Sequence, residues 1–319
     1  QGVAALKTLD FSLPAEVAFP FRGIRFVDEN NSVRADFADE TGISVRRVKL
    51  HQLLVNHAME AGVEFRWGAR VTQIDKHTVT TPLERFSYEW LIGADGQNSQ
   101  VRKWAGLEPR ATRRKRFGFC THFNLKPWSD VAEVHWTNGC QIFITPMRGR
   151  EVGVAVISRD PQLRFDKAIR RFPFLAEKLC GVEPTTRELG DTTSLRILPK
   201  VTNGRVALIG DASGTVDAVT GHGLSLSFQQ AITLAESIEQ RDLAFYESSH
   251  KKIASIGITM TRLMTLMSEN DWIRRRILRL FQISPSLFAR MLTIHTGTVP
   301  LSSVAMAEIA DFSWKFLRA

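Results

Sequence analysis

Cysteine is scarce in this chain: Cys120, Cys140 and Cys180 occur among 319 residues, widely spaced and without a C-x-x-C pair. An odd number at such spacing predicts reduced packing thiols in a cytoplasmic protein, and argues against ligands or nucleophiles. H-E-x-x-H, a clustered Cys/His set and a nucleophile elbow are also missing, so metal-dependent hydrolysis and serine-type acyl transfer have no support and no metal site is expected. No apolar run approaches the roughly 18 residues a spanning helix needs, and the first residues carry no signal-peptide pattern. Internal repeats and low-complexity tracts are absent as well.

Charge is plentiful but dispersed. Lys and Arg outnumber Asp and Glu 42 to 33, a net charge of +9, which by itself would suit nucleic acid or an anionic membrane. The two local runs, R-A-T-R-R-K-R at 110–116 and R-R-R-I-L-R at 274–279, lack the interleaved aromatics of an RNA-binding sheet. They are expected to be a solvated helix face or a loop, and nucleic acid is not an expected partner. Basic and bulky apolar residues over 272–281 suit either peripheral contact of a helix with a membrane surface or a docked terminal helix. With 44% hydrophobic residues the chain can bury a sizeable core, ordinarily as two domains; nothing in the sequence specifies an oligomer.

The most informative segment is V-A-L-I-G-D-A-S-G-T-V-D-A-V-T-G-H-G-L, residues 206–224. Its first four residues form a continuous apolar run, as in a parallel strand buried on both faces. Gly210 allows a close turn, and Asp211 emerges at the carboxyl end of the strand, where open α/β sheets bind ligands and a carboxylate can accept a sugar or ribityl hydroxyl. After Gly221 and Gly223, Leu224, Phe228, Ala231, Ala235 and Ile238 follow helical spacing. The helix therefore begins at the loop, with its positive dipole end toward the ligand. His222, between the two glycines, is the candidate acid or base of the loop.

Residues 90–102, W-L-I-G-A-D-G-Q-N-S-Q-V-R, repeat the design: an apolar strand, a glycine-bracketed Asp95, and a short helix capped by Asn98 or Ser99 and ended near Gly106. The chain here resembles the class A flavoproteins, the superfamily of p-hydroxybenzoate hydroxylase, the geranylgeranyl reductases and the flavin-dependent halogenases. Gly93-Ala94-Asp95-Gly96 with Ser99, Val101 and Arg102 is similar to that family's Asp-Gly motif, and Gly210-Asp211 to its Gly-Asp motif. Arg47-x-x-Leu50-x-x-x-Leu54-x-x-x-Ala58 resembles the helix that carries an arginine near FAD. The likeness covers most of residues 40–245. It implies FAD as cofactor, with Asp211 at the ribityl chain, Asp95 and Gly96 on the FAD side of the cleft, Gly210 in the turn, Gly221, His222, Gly223 and Leu224 at the isoalloxazine edge, and Arg47 near the phosphates or ring.

Family members open with a strand, a G-x-G-x-x-G turn and a helix that cradle the pyrophosphate. That fingerprint is missing here, and Gln1 leads into a segment that usually follows it, so an amino-terminally truncated version of a longer protein is expected. The resulting fold class is α/β: a split Rossmann-like FAD-binding domain, an antiparallel α+β substrate domain and C-terminal helices. The expected parts are an incomplete FAD-binding domain over 1–108, whose 22–38 hairpin joins the substrate sheet; a substrate-binding sheet plus helix over 109–198; the Gly-Asp motif and its helix over 199–245; and a helical segment over 246–319.

Alternation predicts a helix from 47 to 61 closed by Gly62, short strands V-E-F-R-W, A-R-V-T-Q-I and Y-E-W-L-I over 63–92, further strands over 117–157, and helix over 162–179 broken at Pro173. Trp136, Phe143, Met147 and His135 fall in the sheet, half of them facing inward, while His122 is a further titratable group there. By resemblance, NAD(P)H reduces the flavin and O2 then hydroxylates an aromatic or polyketide-like small molecule. Hydroxylases commonly carry His three residues after the motif aspartate and Pro seven after it; Gly214 and Ala218 stand there instead. Gly214 and T-G-H-G-L at 220–224 are close to the prenyl reductases, which makes a geranylgeranyl-type reductase the alternative. The W-x-W-x-I-P segment of halogenases is missing, and a truncated, non-catalytic small-molecule binding protein is the reading outside enzymology.

Overall fold

The computed structural model describes residues 1–38, 41–109, 111–112, 115–300, 303 and 315–316. Its largest element is a seven-stranded sheet in the spatial order Leu189–Thr193, Arg116–Phe123, Glu151–Ser158, Cys140–Met147, Ala132–Thr137, Gly23–Val27, Ser32–Asp36. Neighbours run antiparallel except Ala132–Thr137 and Gly23–Val27, which are parallel with Val134 opposite Phe26. The hairpin over 23–36 thus sits within this sheet. Its turn is set by Asp28, whose Oδ1 accepts from the backbone of Asn30 and Asn31 and from Asn31 Nδ2 at 2.8–2.9 Å, the local bonding that makes Asp and Asn turn residues.

The strand period of two divides the sheet's side chains between two cores. On one face Phe26, Val134, Trp136 and Ile157 pack against Met264, Met267, Ile277, Phe281, Phe288 and Leu292, which come from the helices Leu243–Glu269, Asp271–Ile283 and Pro285–His295. On the other face Ile142, Ile144, Val154 and Val156 meet Ala168, Phe172 and Leu175 of Phe165–Ile169 and Pro173–Leu179. Pro173 is the first residue of its helix, where a missing N–H leaves no hydrogen bond unmade.

A second, smaller sheet carries the two turn motifs. Leu91–Gly93 and Val206–Leu208 pair in parallel, with Thr202–Asn203 antiparallel on the far side. All three residues of Val206–Leu208 are buried, between Val101, Ala105, Leu234 and Tyr246. The helix Gly223–Glu239 leaves the motif and packs on Leu243–Glu269.

Three expectations are corrected. V-E-F-R-W at 63–67 is not a strand: no ladder partner meets it among the described residues, and Phe65 and Trp67 stack on each other at 5.2 Å with Trp67 65% exposed. Strands in this stretch begin at Gln73–Ile74 and continue with Thr78–Thr80 and Arg85–Ser87. The run at 274–279 is not a uniformly solvated face, because Arg274 is 1% exposed, its Nη1 lying 2.6 Å from Asp271 Oδ1 and its Nε 3.9 Å from Asp28 Oδ2. In the other basic run Arg116 is buried as well, while Arg110, Arg113 and Arg114 lie outside the described residues. Among the described residues no single helix is long and apolar enough to cross a membrane; Asp271–Ile283 and Pro285–His295 meet that test only as a pair bent by 109°, and their apolar faces fill the core.

Candidate functional site

The Gly-Asp turn rests on the two helices that follow it. Gly210 N–H donates to Gln230 Oε1 at 2.7 Å, Ser213 Oγ lies 2.9 Å from His250 Nε2, and the buried Tyr246 hydroxyl donates to Leu208 O at 2.6 Å. Asp211, the acidic residue of this single 3-10 turn, is exposed. The protein packed around its base pushes its carboxyl above the ordinary range, Arg47 and Arg196 pull it back, and Asp191 adds to the rise. The turn therefore gathers two cations and two carboxylates from four segments. Gly214 sits at φ +134, and a Cβ there would lie 2.9 Å from Arg196 O, so a histidine at this place would meet backbone.

The helix start is open to a ligand. Gly221 takes a left-handed φ of +68, which side chains disfavour, and a Cβ built at Gly221, Gly223 or Gly96 meets no protein atom within 4 Å. Leu226 N–H donates to His222 O at 3.0 Å as the first bond of the helix ladder, so the amides of 223–225 precede the ladder and carry the positive end of the helix dipole. This open backbone fits the edge of a planar, electron-accepting ring.

Asp95 has an immediate structural task. Its Oδ1 accepts from Ser99 Oγ, and its Oδ2 from the amides of Gln100 at 2.7 Å and Val101 at 3.2 Å. Burial opposes its charge, yet the Ser99 hydroxyl and these amides hold its carboxyl below the ordinary range. Both oxygens thus cap the Gln100–Trp104 helix, with Ser99 as N-cap, and Gly96 is the part of this turn that faces open space. Arg102, 4% exposed, locks the two motifs together: Nη1 donates to Ala212 O at 3.0 Å and Nη2 to Gln97 O at 2.9 Å. Arg196 also donates to Gln97 O, and Gln97 Nε2 donates to Asp191 Oδ1 at 2.9 Å. Gln97, Asp191 and Arg196 were not legible as site residues, because each is brought in by tertiary pairing alone.

Beyond the helix start lies an apolar cavity of about 170 Å³ between the large sheet and the C-terminal helices. Phe26, Val134 and Phe143 line it from the sheet, Met264 and Phe288 from the helices, and residues 218–221 form a wall. Gly221 also lines a neighbouring groove together with Leu224, Phe228, Leu50 and Phe37, and Gly221 and Leu292 border both spaces. Trp136 and Met147 are core residues, and His135 turns to the opposite face of the sheet, 2.9 Å from Glu133 Oε2.

The wall is fastened by a buried ion pair. Arg116 Nε donates to Asp217 Oδ2 at 2.8 Å, its Nη2 lies 2.6 Å from Asp217 Oδ1, and the two side chains are 6% and 5% exposed. Arg116 Nη1 adds a bond to Gln141 Oε1 at 3.2 Å. Asp217 caps the 3-10 turn Ala218–Thr220 by accepting Val219 N–H at 3.2 Å, and its own N–H donates to Thr261 Oγ1 at 3.2 Å. The sheet, the wall and the Leu243–Glu269 helix are thereby held at fixed separation.

His222, the sequence's candidate acid or base, is buried in this geometry. Its side chain is 6% exposed and points under the helix start, where Nε2 donates to His295 O at 2.9 Å and the two rings lie 4.2 Å apart. Burial pushes the His222 ring below the ordinary range and that of His295 down to about 3, so both are neutral. His295, not His222, reaches the cavity wall. As a single histidine ending a terminal helix, it left no signal in the sequence.

Comparison with known proteins identifies the family and the fold. The chain is 24% identical over 262 residues to 12-dehydrotetracycline 5-monooxygenase/anhydrotetracycline 6-monooxygenase of Streptomyces rimosus, covering 71% of this chain and 52% of that one. It is 24% identical over 271 residues to 6-hydroxynicotinate 3-monooxygenase of Bordetella bronchiseptica, covering 73% and 67%. The chain thus spans about half to two thirds of the length of these relatives. The crystal structure of Klebsiella pneumoniae HpxO complexed with FAD and uric acid has the same fold, with a TM-score of 0.72 at 16% identity over 94% of this chain and 86% of HpxO. The model of the FAD binding domain family matches residues 24–240, from the hairpin of the large sheet to the end of the helix after the Gly-Asp motif, and the chain belongs to that family.

Proposed function

We propose that this protein acts as an NAD(P)H-dependent FAD monooxygenase that hydroxylates an aromatic or polyketide-like small molecule. The observation that carries the reading is adjacency: an apolar, ring-sized cavity lies next to the groove at the open helix start of the Gly-Asp motif, with Gly221 and Leu292 bordering both. Bound FAD supplies electron transfer from the nicotinamide and the activation of O2. The chain supplies position. Asp211 accepts a ribityl hydroxyl, Gly210 lets that turn form, and Arg47 adds positive charge near the phosphates or the ring. The backbone at Gly221, His222, Gly223 and Leu224 faces the isoalloxazine edge, where the dipole favours negative charge. Gly96 leaves room for the cofactor on the Asp-Gly side, and Asp95 acts through the helix it caps. The apolar cavity keeps water from the reacting carbon.

Cavity size favours hydroxylation over reduction of an isoprenoid. An apolar cavity of roughly 150 Å³ takes benzene, and about 170 Å³ suits a small ring system better than a long prenyl chain. Turnover under labelled O2 tests this: one labelled oxygen atom should enter the product, with substrate-stimulated NAD(P)H oxidation in air. Conversion under strict anaerobiosis with no oxygen incorporated would refute the monooxygenase and favour the reductase.

A further inference from the structure

We propose that the cavity takes an uncharged aromatic molecule of one or two rings bearing a hydroxyl or N–H group, and that His295 is the side chain that orients it. This rests on the monooxygenase reading and narrows it to a substrate class. The first argument is charge. Glu133 is the one charged residue among the described residues around the cavity, and its carboxylate is taken up by Arg25 Nη1 at 3.1 Å, Trp128 Nε1 at 3.3 Å and His135 Nε2 at 2.9 Å. The nearby buried guanidinium of Arg116 is matched by Asp217 and Gln141. An anionic substrate would therefore leave water with no cation to meet it, which strongly disfavours binding.

The second argument is polarity. Phe26, Phe143 and Phe288 offer ring faces, and Met260, Met264 and Met291 offer thioethers, which adapt in shape and attract aromatic rings. Among polar side chains on the wall, Thr220 Oγ1 is engaged with Asp217 O at 3.0 Å. The His295 ring has no hydrogen bond to protein among the described residues, although its carbonyl accepts from His222. The His222 ring lies against it, with centroids 4.2 Å apart and planes tilted by 56°. Burial keeps His295 neutral, so it presents one donor or one acceptor, and Thr145, from the sheet side of the same cavity, adds a hydroxyl.

Equilibrium dialysis of the FAD-loaded protein at neutral pH against a naphthol, the matching naphthoate and naphthalene tests both arguments. The naphthol should bind about a hundredfold more tightly than the naphthoate. His295→Leu should bring the naphthol to within about threefold of naphthalene, whereas His295→Gln, which keeps a donor and an acceptor, should preserve most of the preference. Naphthoate bound as tightly as naphthol overturns the charge argument on the unaltered protein, whatever the variants do. Naphthol affinity unchanged in a folded His295→Leu protein overturns the role of His295. If the ligand ranking holds but no oxygen is ever incorporated, the monooxygenase reading fails alone; if a hydroxylating protein shows no ranking, this inference fails alone.

Discussion

Replacing Arg116 by Met should leave Asp217 as a buried carboxylate without its counterion, and the structure gives the size of the effect. The pair is bidentate at 2.8 and 2.6 Å, about 5–6% exposed on each side, so water cannot take the place of the guanidinium. Breaking a buried pair on one side costs roughly 3–5 kcal/mol. For a chain of this size about 2 °C of melting temperature accompanies each kcal/mol, so a loss of about 6–10 °C is expected in a thermal melt of Arg116→Met. The double variant Arg116→Met with Asp217→Leu should recover much of that loss, since apolar replacements of a buried pair are often neutral. It should not recover the wall, because nothing then accepts the Val219 N–H. Substrate KM should therefore stay raised in the double variant although the melt returns. A single variant that melts within about 2 °C of the parent would refute the reasoning, since the pair would then have to be solvated in solution.

Two further outcomes follow from the site. Asp211→Ala should weaken FAD binding by about 2–3 kcal/mol through loss of a charge-assisted hydrogen bond, with circular dichroism unchanged; full flavin occupancy in the purified variant would show that the ribityl chain lies elsewhere. Burial lowers the His250 ring from 6.5 to about 4, so the unfolded chain takes up that proton first on acidification: the neutral ring's contribution is fully present above about pH 6.5, falls as pH drops toward 4, and is flat below. Melting temperature against pH should consequently be flatter between these limits in His250→Gln than in the parent, and identical slopes would contradict the assignment.

Local chemistry made the two motifs legible. Val206–Leu208 is apolar throughout because both faces are covered, the helix begins where Gly221 and Gly223 end the turn, and Pro173 opens a helix where its missing amide is harmless. Alternation also marked the strands over 117–157, because this sheet buries its two faces against different helices. Pairing across the fold was not legible. V-E-F-R-W alternates like a strand yet has no partner among the described residues. Arg116 sat in a run that looked solvated, and only the distant Asp217 explains its burial. Asp95 carried the right motif, and its bonds to Ser99, Gln100 and Val101 came from the turn that follows it. His295 became a site residue because a terminal helix swings back over the sheet, an event with no local signature.

The parallel pairing of Gly23–Val27 with Ala132–Thr137 has a consequence for synthesis on the ribosome. The hairpin closes locally through Asp28, but one of its edges is completed by a strand about a hundred residues later in the chain. At about 5–20 residues per second, roughly 5–20 seconds separate the two. Throughout that interval the nascent chain exposes an unpaired strand edge carrying Ile24 and Phe26, so this hairpin is the point at which a chaperone would be needed and at which premature pairing with a neighbouring copy would begin.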